Sequence, residues 1–177
     1  MSLPYPGEPA SYAGRCAFLK GVSKIMNLYD EFFAIVAMLN QCRIRYAVVG
    51  GIALAFHGRP RFTRDVDFLV HQKDMDVLKM ALERLDYEET AEPWMLPDTP
   101  LVLHRFLKVE GQDEIMVDIF LTSDDEHLRI IEDAVPAESE AGPVPVAARR
   151  DIIWMKRSRN SDQDRVDISE LEENDED

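Results

Sequence analysis

Residues 46–70 read YAVVGGIALAFHGRPRFTRDVDFLV, an apolar strand, a glycine pair, a short helical segment, a basic loop and a second apolar strand. Side chains on a strand alternate between its two faces, so Asp65 and Asp67 on the second strand point to the same side. Two neighbouring carboxylates repel each other unless a cation lies between them. Magnesium is typically bound by one or two carboxylates together with substrate phosphates. This stretch therefore predicts a site for a metal and a nucleotide.

The same stretch resembles the nucleotidyltransferase superfamily of the DNA polymerase β type. The pattern is Gly-Gly, then His-Gly, then Arg-x-Thr-x-Asp-x-Asp, and its residues here are Gly50, Gly51, His57, Gly58, Arg61, Thr63, Asp65 and Asp67. Within the superfamily the chain is similar to small prokaryotic members, which include the aminoglycoside and lincosamide nucleotidyltransferases and the toxins of type IV abortive-infection systems. Some relatives have serine at the second glycine position, so their hydroxyl group is absent here.

The superfamily carries a third acid on a later strand, and Asp118, within the apolar run of residues 114–121, is the residue that fits. The resemblance implies that Asp65, Asp67 and Asp118 bind two divalent ions, Mg²⁺ or alternatively Mn²⁺. It also implies that Asp118 helps to deprotonate the attacking hydroxyl. From the residues alone, a buried acid in this strand needs either a metal or a charged partner such as an arginine. Both alternatives stay open.

Four residues of this stretch are candidates for nucleotide binding. Gly50 and Gly51 precede a helix, where backbone amides can bind phosphate oxygens, although a tight turn alone would also need them. Arg61 is suited to phosphate, and Thr63 either contacts phosphate or caps the turn. We expect His57 to have a packing or turn role.

Near the C-terminus, Lys156 is followed by Asp164 and Asp167, in an order that many small relatives share. The resemblance implies that Lys156 reaches the nucleotide phosphates. A salt bridge from Lys156 to Asp164 or Asp167 is an equal alternative. In many relatives an arginine stands between the lysine and the first acid, and Ser161 occupies that place here.

The net charge is −14, but it is unevenly distributed along the 177 residues. Residues 161–177 hold nine acids and one base, whereas residues 43–64 hold five arginines and no acid. Residues 149–159 hold five bases and one acid. The overall charge argues against broad nucleic-acid binding, because that affinity comes mainly from summed phosphate contacts. A local basic cleft that accepts a nucleotide or an RNA end remains compatible with this distribution.

Several features bear on the cellular compartment. The longest apolar run near the start, residues 32–39, is too short to cross a bilayer. No secretion signal is recognisable, and Cys16 and Cys42 have no metal-binding spacing. We therefore expect a reduced cytoplasmic protein without a membrane partner.

Hydrophobic periodicity and turn residues predict the elements. Helices are expected over residues 22–42, 52–56, 73–85, 124–134, 148–159 and 162–171. Strands are expected over residues 45–49, 65–70, 101–109, 115–121 and 144–147, with residues 88–100 a loop and 136–145 a connector. The strands over 101–109 and 115–121 are expected to form a hairpin with its turn at residues 110–113. The pattern predicts an α/β or α+β domain, with a small mixed sheet flanked by helices and with C-terminal helices.

We expect an irregular lead-in over residues 1–21, one domain over 22–171 and an acidic tail over 172–177. The domain divides into a core, 22–122, and a C-terminal helical part, 123–171. The resemblance implies the nucleotidyltransferase fold for the core.

The resemblance also implies a metal-dependent transfer of a nucleoside monophosphate, from a nucleoside triphosphate such as ATP to an acceptor hydroxyl, with release of pyrophosphate. The acceptor could be a small molecule, a protein side chain or an RNA 3′ end. One alternative is a non-catalytic or partner-regulated module, such as a component of a toxin–antitoxin system with a cognate protein partner. A nucleotide-binding sensor is a further alternative.

Overall fold

The computed structural model describes residues 26–139 and 141–173. The expected lead-in, residues 1–21, and positions 174–177 of the expected acidic tail lie outside the described residues. Within the described part the helices are α1 (Leu28–Gln41), α2 (Gly50–Phe56), α3 (Met75–Glu83), α4 (Asp125–Glu132), α5 (Arg149–Arg159) and α6 (Asp162–Glu172), with a 3₁₀ turn at Gln72–Asp74. The strands are β1 (Tyr46–Val49), β2 (Asp65–His71), β3 (Glu88–Glu89), β4 (Trp94–Met95), β5 (Val102–Glu110), β6 (Asp113–Thr122), β7 (Val135–Ala137) and β8 (Val144–Val146).

The described strands form one mixed sheet in the order β3-β5-β6-β2-β1-β8-β7, and β4 also pairs with β5. β2 runs parallel to β6 and β1 parallel to β8, whereas the other neighbouring pairs are antiparallel. The predicted mixed α/β architecture is confirmed. The central strands β6, β2 and β1 are mostly buried, which their continuous apolar runs require.

α1 packs one face against the sheet. The face consists of the fully buried side chains Phe32, Ile35, Val36 and Leu39, and the Phe32 ring stacks on Phe68 of β2 with centroids 5.9 Å apart. The predicted start at residue 22 is wrong over the described residues, because Met26 and Asn27 are not helical. Asn27 is the N-cap, and its side chain accepts hydrogen bonds from the backbone N–H groups of Tyr29 and Asp30.

Two segments expected as irregular contain short strands. β3 and β4 lie within the predicted loop of residues 88–100, and β7 overlaps the start of the predicted connector of residues 136–145. These strands of two or three residues are too short to show a period of their own. β3 and β4 form because the long strand β5 supplies a partner, and β7 forms against β8.

The C-terminal helix pair, α5 and α6, is joined at Asn160, which has a left-handed backbone (φ 50°). Ser161 then starts α6 through a capping box, in which its hydroxyl and the Asp164 carboxylate each accept a backbone N–H. α5 faces the sheet across a cleft. None of the helices in the described part of the chain combines the length and apolar composition that a bilayer crossing requires.

Candidate active site

Three aspartates meet at the centre of the sheet. The register of the parallel strands β2 and β6 places Asp67 opposite Asp118, and Asp65 lies two residues before Asp67 on the same face. One carboxylate oxygen from each residue lies within 4.8 Å of the other two. Three carboxylate oxygens this close together form a donor set that suits a hard divalent cation.

The carboxyl group of Asp67 lies in a buried and negatively charged setting, since the residue is only 8% exposed. Burial, followed by the charges of Asp65 and Asp118, raises its pKa to about 7. Arg159 and a hydrogen bond from the backbone N–H of Gly51 act in the opposite direction. A divalent cation at this position would favour the ionised form, so the residues present fit a metal ion.

Asp65 is oriented by its neighbour in the basic loop. The Thr63 hydroxyl donates a hydrogen bond of 2.6 Å to the Asp65 carboxylate. Thr63 thus has a contact with an acid that the sequence did not predict, and its contact with phosphate stays a prediction.

The glycine pair makes room for these side chains. A Cβ atom on Gly50 would lie 1.8 Å from Oδ2 of Asp67, and one on Gly51 would lie 2.6 Å from the Thr63 hydroxyl oxygen. Gly50 also has a left-handed φ of +63°, which glycine adopts without strain. α2 begins at Gly50 itself, two residues before its predicted start. The close approach of Asp67 and Thr63 thus explains why both positions lack a side chain.

Asp118 has an arginine partner that sequence reasoning missed. Arg105, opposite Asp118 on β5, donates from Nε and from an Nη nitrogen to the two carboxylate oxygens, both at 2.8 Å. The guanidinium also lies 5.5 Å from the centroid of the Trp94 ring. Asp118 thus has an arginine partner and also belongs to a cluster of acids that could hold a metal ion.

A signal in the sequence could have identified Arg105 as the partner of Asp118. Residues 110–113 were expected as the turn of a hairpin, and Glu110 does pair with Asp113. In an antiparallel pair, stepping equally far back along one strand and forward along the other leads to opposed residues. From this turn those steps reach Arg105 and Asp118.

A buried ion-pair cluster links the C-terminal helix pair to the basic loop. Lys156, 4% exposed, donates to Asp167 at 2.6 Å and to Asp164 at 3.3 Å. Arg159 makes a double hydrogen bond with Asp164. Nε of Arg61 lies 3.2 Å from Asp167 in an ion pair that is not aligned as a hydrogen bond. The salt-bridge alternative for Lys156 is thus present.

The pKa values of the two acids in this cluster follow from these contacts. Burial alone would raise the pKa of Asp164, but hydrogen bonds from Arg159 and Ser161 leave it well below its ordinary value. For Asp167, burial is likewise outweighed by hydrogen bonds from Lys156 and Gln163, so its pKa is lowered. Both acids are therefore ionised at neutral pH and hold the cations in place.

The cleft lies between the acids and the C-terminal helix pair. Gly50 and Asp67 line one side, and Lys156 and Arg159 line the other. The remaining lining residues are Val49, Leu96, Pro97, Asp98, Thr99, Leu101, Phe120, His127, Ile152, Met155 and Ser158. Negative and positive groups thus face each other across a space with a largely apolar floor.

The predicted residues fall into two connected groups. Asp65, Asp67, Asp118, Gly50, Gly51 and Thr63 converge at the sheet, whereas Lys156 and Arg61 belong to the ion-pair cluster. His57 lies apart from both, and its Nε2 is 2.9 Å from the backbone carbonyl of Ala147. That contact joins the end of α2 to the residue after β8, which is consistent with the packing role expected for His57.

The chain matches the model of a protein family described as "Nucleotidyl transferase AbiEii toxin, Type IV TA system" over residues 34–167, more than half of its length. This range contains the acids, the glycine pair and the ion-pair cluster described above. A comparison with curated proteins finds no significant match.

Several solved structures are similar to the chain. A candidate nucleotidyltransferase from Thermotoga maritima gives a TM-score of 0.54 at 14% identity, over 83% of this chain and 96% of its own. The lincosamide antibiotic adenylyltransferase LnuA, bound to lincomycin, gives 0.56 at 16% identity, over 84% and 97%. ANT(2″)-Ia, in complex with adenylyl-2″-tobramycin, gives 0.45 at 16% identity, over 82% and 97%. The first two likenesses confirm the nucleotidyltransferase fold.

Proposed function

Since the chain belongs to the AbiEii nucleotidyltransferase toxin family of type IV toxin–antitoxin systems, we propose that it transfers a nucleoside monophosphate from a nucleoside triphosphate to an acceptor hydroxyl. Pyrophosphate is the leaving group. The observation that carries the proposal is the convergence of Asp65, Asp67 and Asp118 within 4.8 Å, opposite a wall of cations.

The three acids form the reaction centre of this proposal. Asp65 and Asp67 are the metal ligands, with Asp65 oriented by Thr63 and Asp67 by the Gly51 backbone N–H. Bound Mg²⁺, or Mn²⁺ in its place, would neutralise charge on the transferring phosphoryl group and on the attacking and leaving oxygens.

Asp118 accepts the proton of the attacking hydroxyl. Arg105 uses one hydrogen-bonding direction of each Asp118 oxygen, and a carboxylate oxygen has a second one. Asp118 can therefore stay bonded to Arg105 and still contact a metal ion or a hydroxyl. Arg105 fixes the orientation of the carboxylate and is itself partly exposed.

The triphosphate lies between the glycine pair and the two cations on the opposite side of the cleft, Lys156 and Arg159. Lys156 and Arg159 line the cleft and present positive charge to it, and their acid partners hold them in position. Gly50 lines the cleft, so its backbone is the part of the glycine pair that a phosphate can contact. Arg61 reaches the cluster through Asp167, so it contributes positive charge from the basic loop.

The family description also favours a role within a toxin–antitoxin system, in which an antitoxin partner counteracts this chain. The acceptor is then a molecule whose modification harms the cell. A small molecule, a protein hydroxyl and an RNA 3′ end are the three candidate acceptors.

A label-transfer experiment tests the proposal. Wild-type protein is incubated with Mg²⁺, α-³²P-labelled triphosphates and an extract separated into small-molecule, protein and RNA fractions. Label should enter one fraction with wild-type protein and with Asp76→Asn, a change of an exposed acid on α3, but not with Asp67→Asn. Transfer that survives Asp67→Asn, or that occurs in no fraction, would contradict the proposal.

A further inference from the structure

The cleft carries a histidine that the proposed transfer does not use. His127 lines the cleft together with Asp67 and is 3% exposed. Its Nδ1 lies 2.9 Å from both carboxylate oxygens of Asp124, and its ring packs against Trp154 with centroids 4.9 Å apart. Among the described residues Nε2 has no hydrogen-bond partner, so it is free for a group that enters the cleft.

Asp124 determines which ring nitrogen of His127 carries the proton. Burial would raise the pKa of Asp124, but hydrogen bonds from Thr122 and from the ring and backbone N–H of His127 lower it to about 2. An ionised carboxylate only accepts hydrogen bonds, so Nδ1 is the protonated nitrogen. With the ring proton on Nδ1, the singly protonated imidazole offers the lone pair of Nε2 as an acceptor.

His127 follows the end of β6 that is further along the strand from Asp118. Phe120, which also lines the cleft, is two residues beyond Asp118 on the same face of β6, roughly 7 Å along the strand. Thr122 ends β6 two residues further on, and α4, which carries His127, begins at Asp125. His127 is thus displaced from the metal-binding acids in the direction of the apolar floor.

The lining between the two ends suits a flat aromatic ring. Leu101, Phe120, Ile152 and Met155 provide apolar surface. Pockets for small molecules are typically apolar with a few polar groups that fix orientation. With the triphosphate at the acids, the part of the nucleotide that extends over this surface is the base.

We propose that His127 recognises the nucleobase of the triphosphate, by accepting a hydrogen bond at Nε2 from an exocyclic amino group. The inference rests on the proposed function, because that function places the phosphates at the other end of the cleft. The amino group in question is the one at position 6 of adenine or position 4 of cytosine, where guanine and uracil carry a carbonyl. If the base carried a carbonyl at this position, its oxygen and Nε2 of His127 would both be acceptors. Both groups would then be buried without a hydrogen bond. Asp124 is the positioning residue, since it acts through the His127 ring.

Two pairs of triphosphates test this assignment. Between ATP and ITP, and between CTP and UTP, an amino group is replaced by a carbonyl at the same ring position. In calorimetric titrations with Mg²⁺, wild-type protein should bind the amino member of at least one pair about tenfold more tightly. Equal affinities within both pairs, or tighter binding of the carbonyl members, would overturn the proposal.

Two variants separate recognition from folding. His127→Phe keeps a ring against Trp154 but removes the acceptor. The amino preference, which is the affinity for the amino member of a pair divided by that for the carbonyl member, should fall to about one. The affinity for the carbonyl member should stay unchanged. In Asp124→Asn the new amide can donate to Nδ1 and move the ring proton to Nε2, so the amino preference should also fall. Asparagine is a good N-cap, which preserves α4 and keeps the test available if His127→Phe does not fold.

The outcomes distinguish this inference from the proposed function. A folded variant of either kind that keeps the full wild-type preference would overturn the assignment of His127. Binding of all four triphosphates without discrimination would overturn it too, but would leave the proposed function in place. If none of the four binds in the presence of Mg²⁺, the proposed function fails and this inference fails with it.

Discussion

The carboxyl group of Asp67 is in contact with the glycine pair and lies opposite a second acid of the site. Gly50 leaves space for it, the Gly51 backbone N–H donates to it, and Asp118 faces it across the parallel strands. Its burial beside two other acids makes ionisation unfavourable without a cation. The same arrangement prepares the residue for a metal ion, because binding replaces carboxylate repulsion with attraction.

The free energy of unfolding of the metal-free protein should depend on pH through Asp67. Its pKa is about 7 in the folded protein against an ordinary value of 3.8. Between these values the folded state binds more protons than the unfolded state, so stability falls as pH rises from about 4 to about 7. The loss is at most about 4 kcal/mol, at about 1.4 kcal/mol per pH unit.

Thermal unfolding in the presence of a chelator measures this effect. Asp67→Asn cannot ionise, so its melting temperature should decline less between pH 4 and 7 than that of the wild type. If the melting temperatures of the two proteins changed in parallel between pH 4 and 7, Asp67 would titrate normally in the folded protein.

Alanine at Gly50 should disrupt the site more than alanine at another left-handed glycine. At Gly50 the added Cβ would lie 1.8 Å from Oδ2 of Asp67, whereas at Gly58, with φ of +76°, it would meet nothing within 4 Å. Gly58→Ala therefore reports backbone strain alone, about 1 kcal/mol. Gly50→Ala should cost about 2 kcal/mol or more and abolish Mg²⁺-dependent nucleotide binding, which Gly58→Ala should retain.

Denaturant unfolding and nucleotide titration of the two variants check this comparison. If Gly50→Ala bound nucleotide as well as Gly58→Ala does, the contact between Gly50 and Asp67 would not matter for the site.

The sheet and the C-terminal helix pair contribute opposite charges to one cleft. The sheet supplies the acids, and α5 supplies Lys156 and Arg159, which α6 holds through Asp164 and Asp167. Burying charges is unfavourable unless each is paired. The helix pair therefore depends on its acids for stability as well as for the position of its cations.

Removing one acid from this cluster should destabilise the protein much more than removing an exposed acid. Asp167→Asn leaves Lys156 buried with one partner fewer, and breaking a buried pair costs about 3 kcal/mol or more. Glu172→Gln breaks the exposed pair between Arg157 and Glu172, which should cost less than about 1 kcal/mol. Denaturant unfolding of both variants measures the difference, and similar losses would contradict the structural role of the cluster.

Local sequence patterns predicted the elements that carry the acids. Period-two alternation placed Asp65 and Asp67 on one face of β2, and the expected turn of residues 110–113 is present between β5 and β6. Asp118 was chosen because of the family resemblance, since alternation does not state which strand lies beside β2. The register of β2 and β6 is a long-range property that only the folded sheet shows.

The residues on the cationic side of the cleft were less predictable, because their contacts are also long-range. The ion pair between Arg61 and Asp167 joins a loop to a helix far along the chain, and no local period indicates such a contact. His127 was missed because a single histidine in an amphipathic helix has no motif. Its importance depends on Asp124, Trp154 and the cleft, which meet only after folding.

Taken as a whole, the protein is an acidic body with a cationic wall on one cleft. The net charge of −14 disfavours general attraction of polyanions, whereas Lys156 and Arg159 present local positive charge beside the triad. This distribution suits a bound triphosphate with its metal better than an extended nucleic-acid backbone.

The most direct test of the central claim, that the aspartate triad is a metal-dependent nucleotide site, is stabilisation by nucleotide against thermal unfolding. At about 100 times the dissociation constant a triphosphate with Mg²⁺ should stabilise the wild type by about 2.7 kcal/mol. A chelator should abolish this effect. The effect should also be lost in Asp65→Asn/Asp67→Asn but not in Asp76→Asn/Asp86→Asn, which removes two exposed acids. Equal stabilisation of both double variants, or stabilisation that is independent of the metal, would contradict a metal-dependent nucleotide site at the triad.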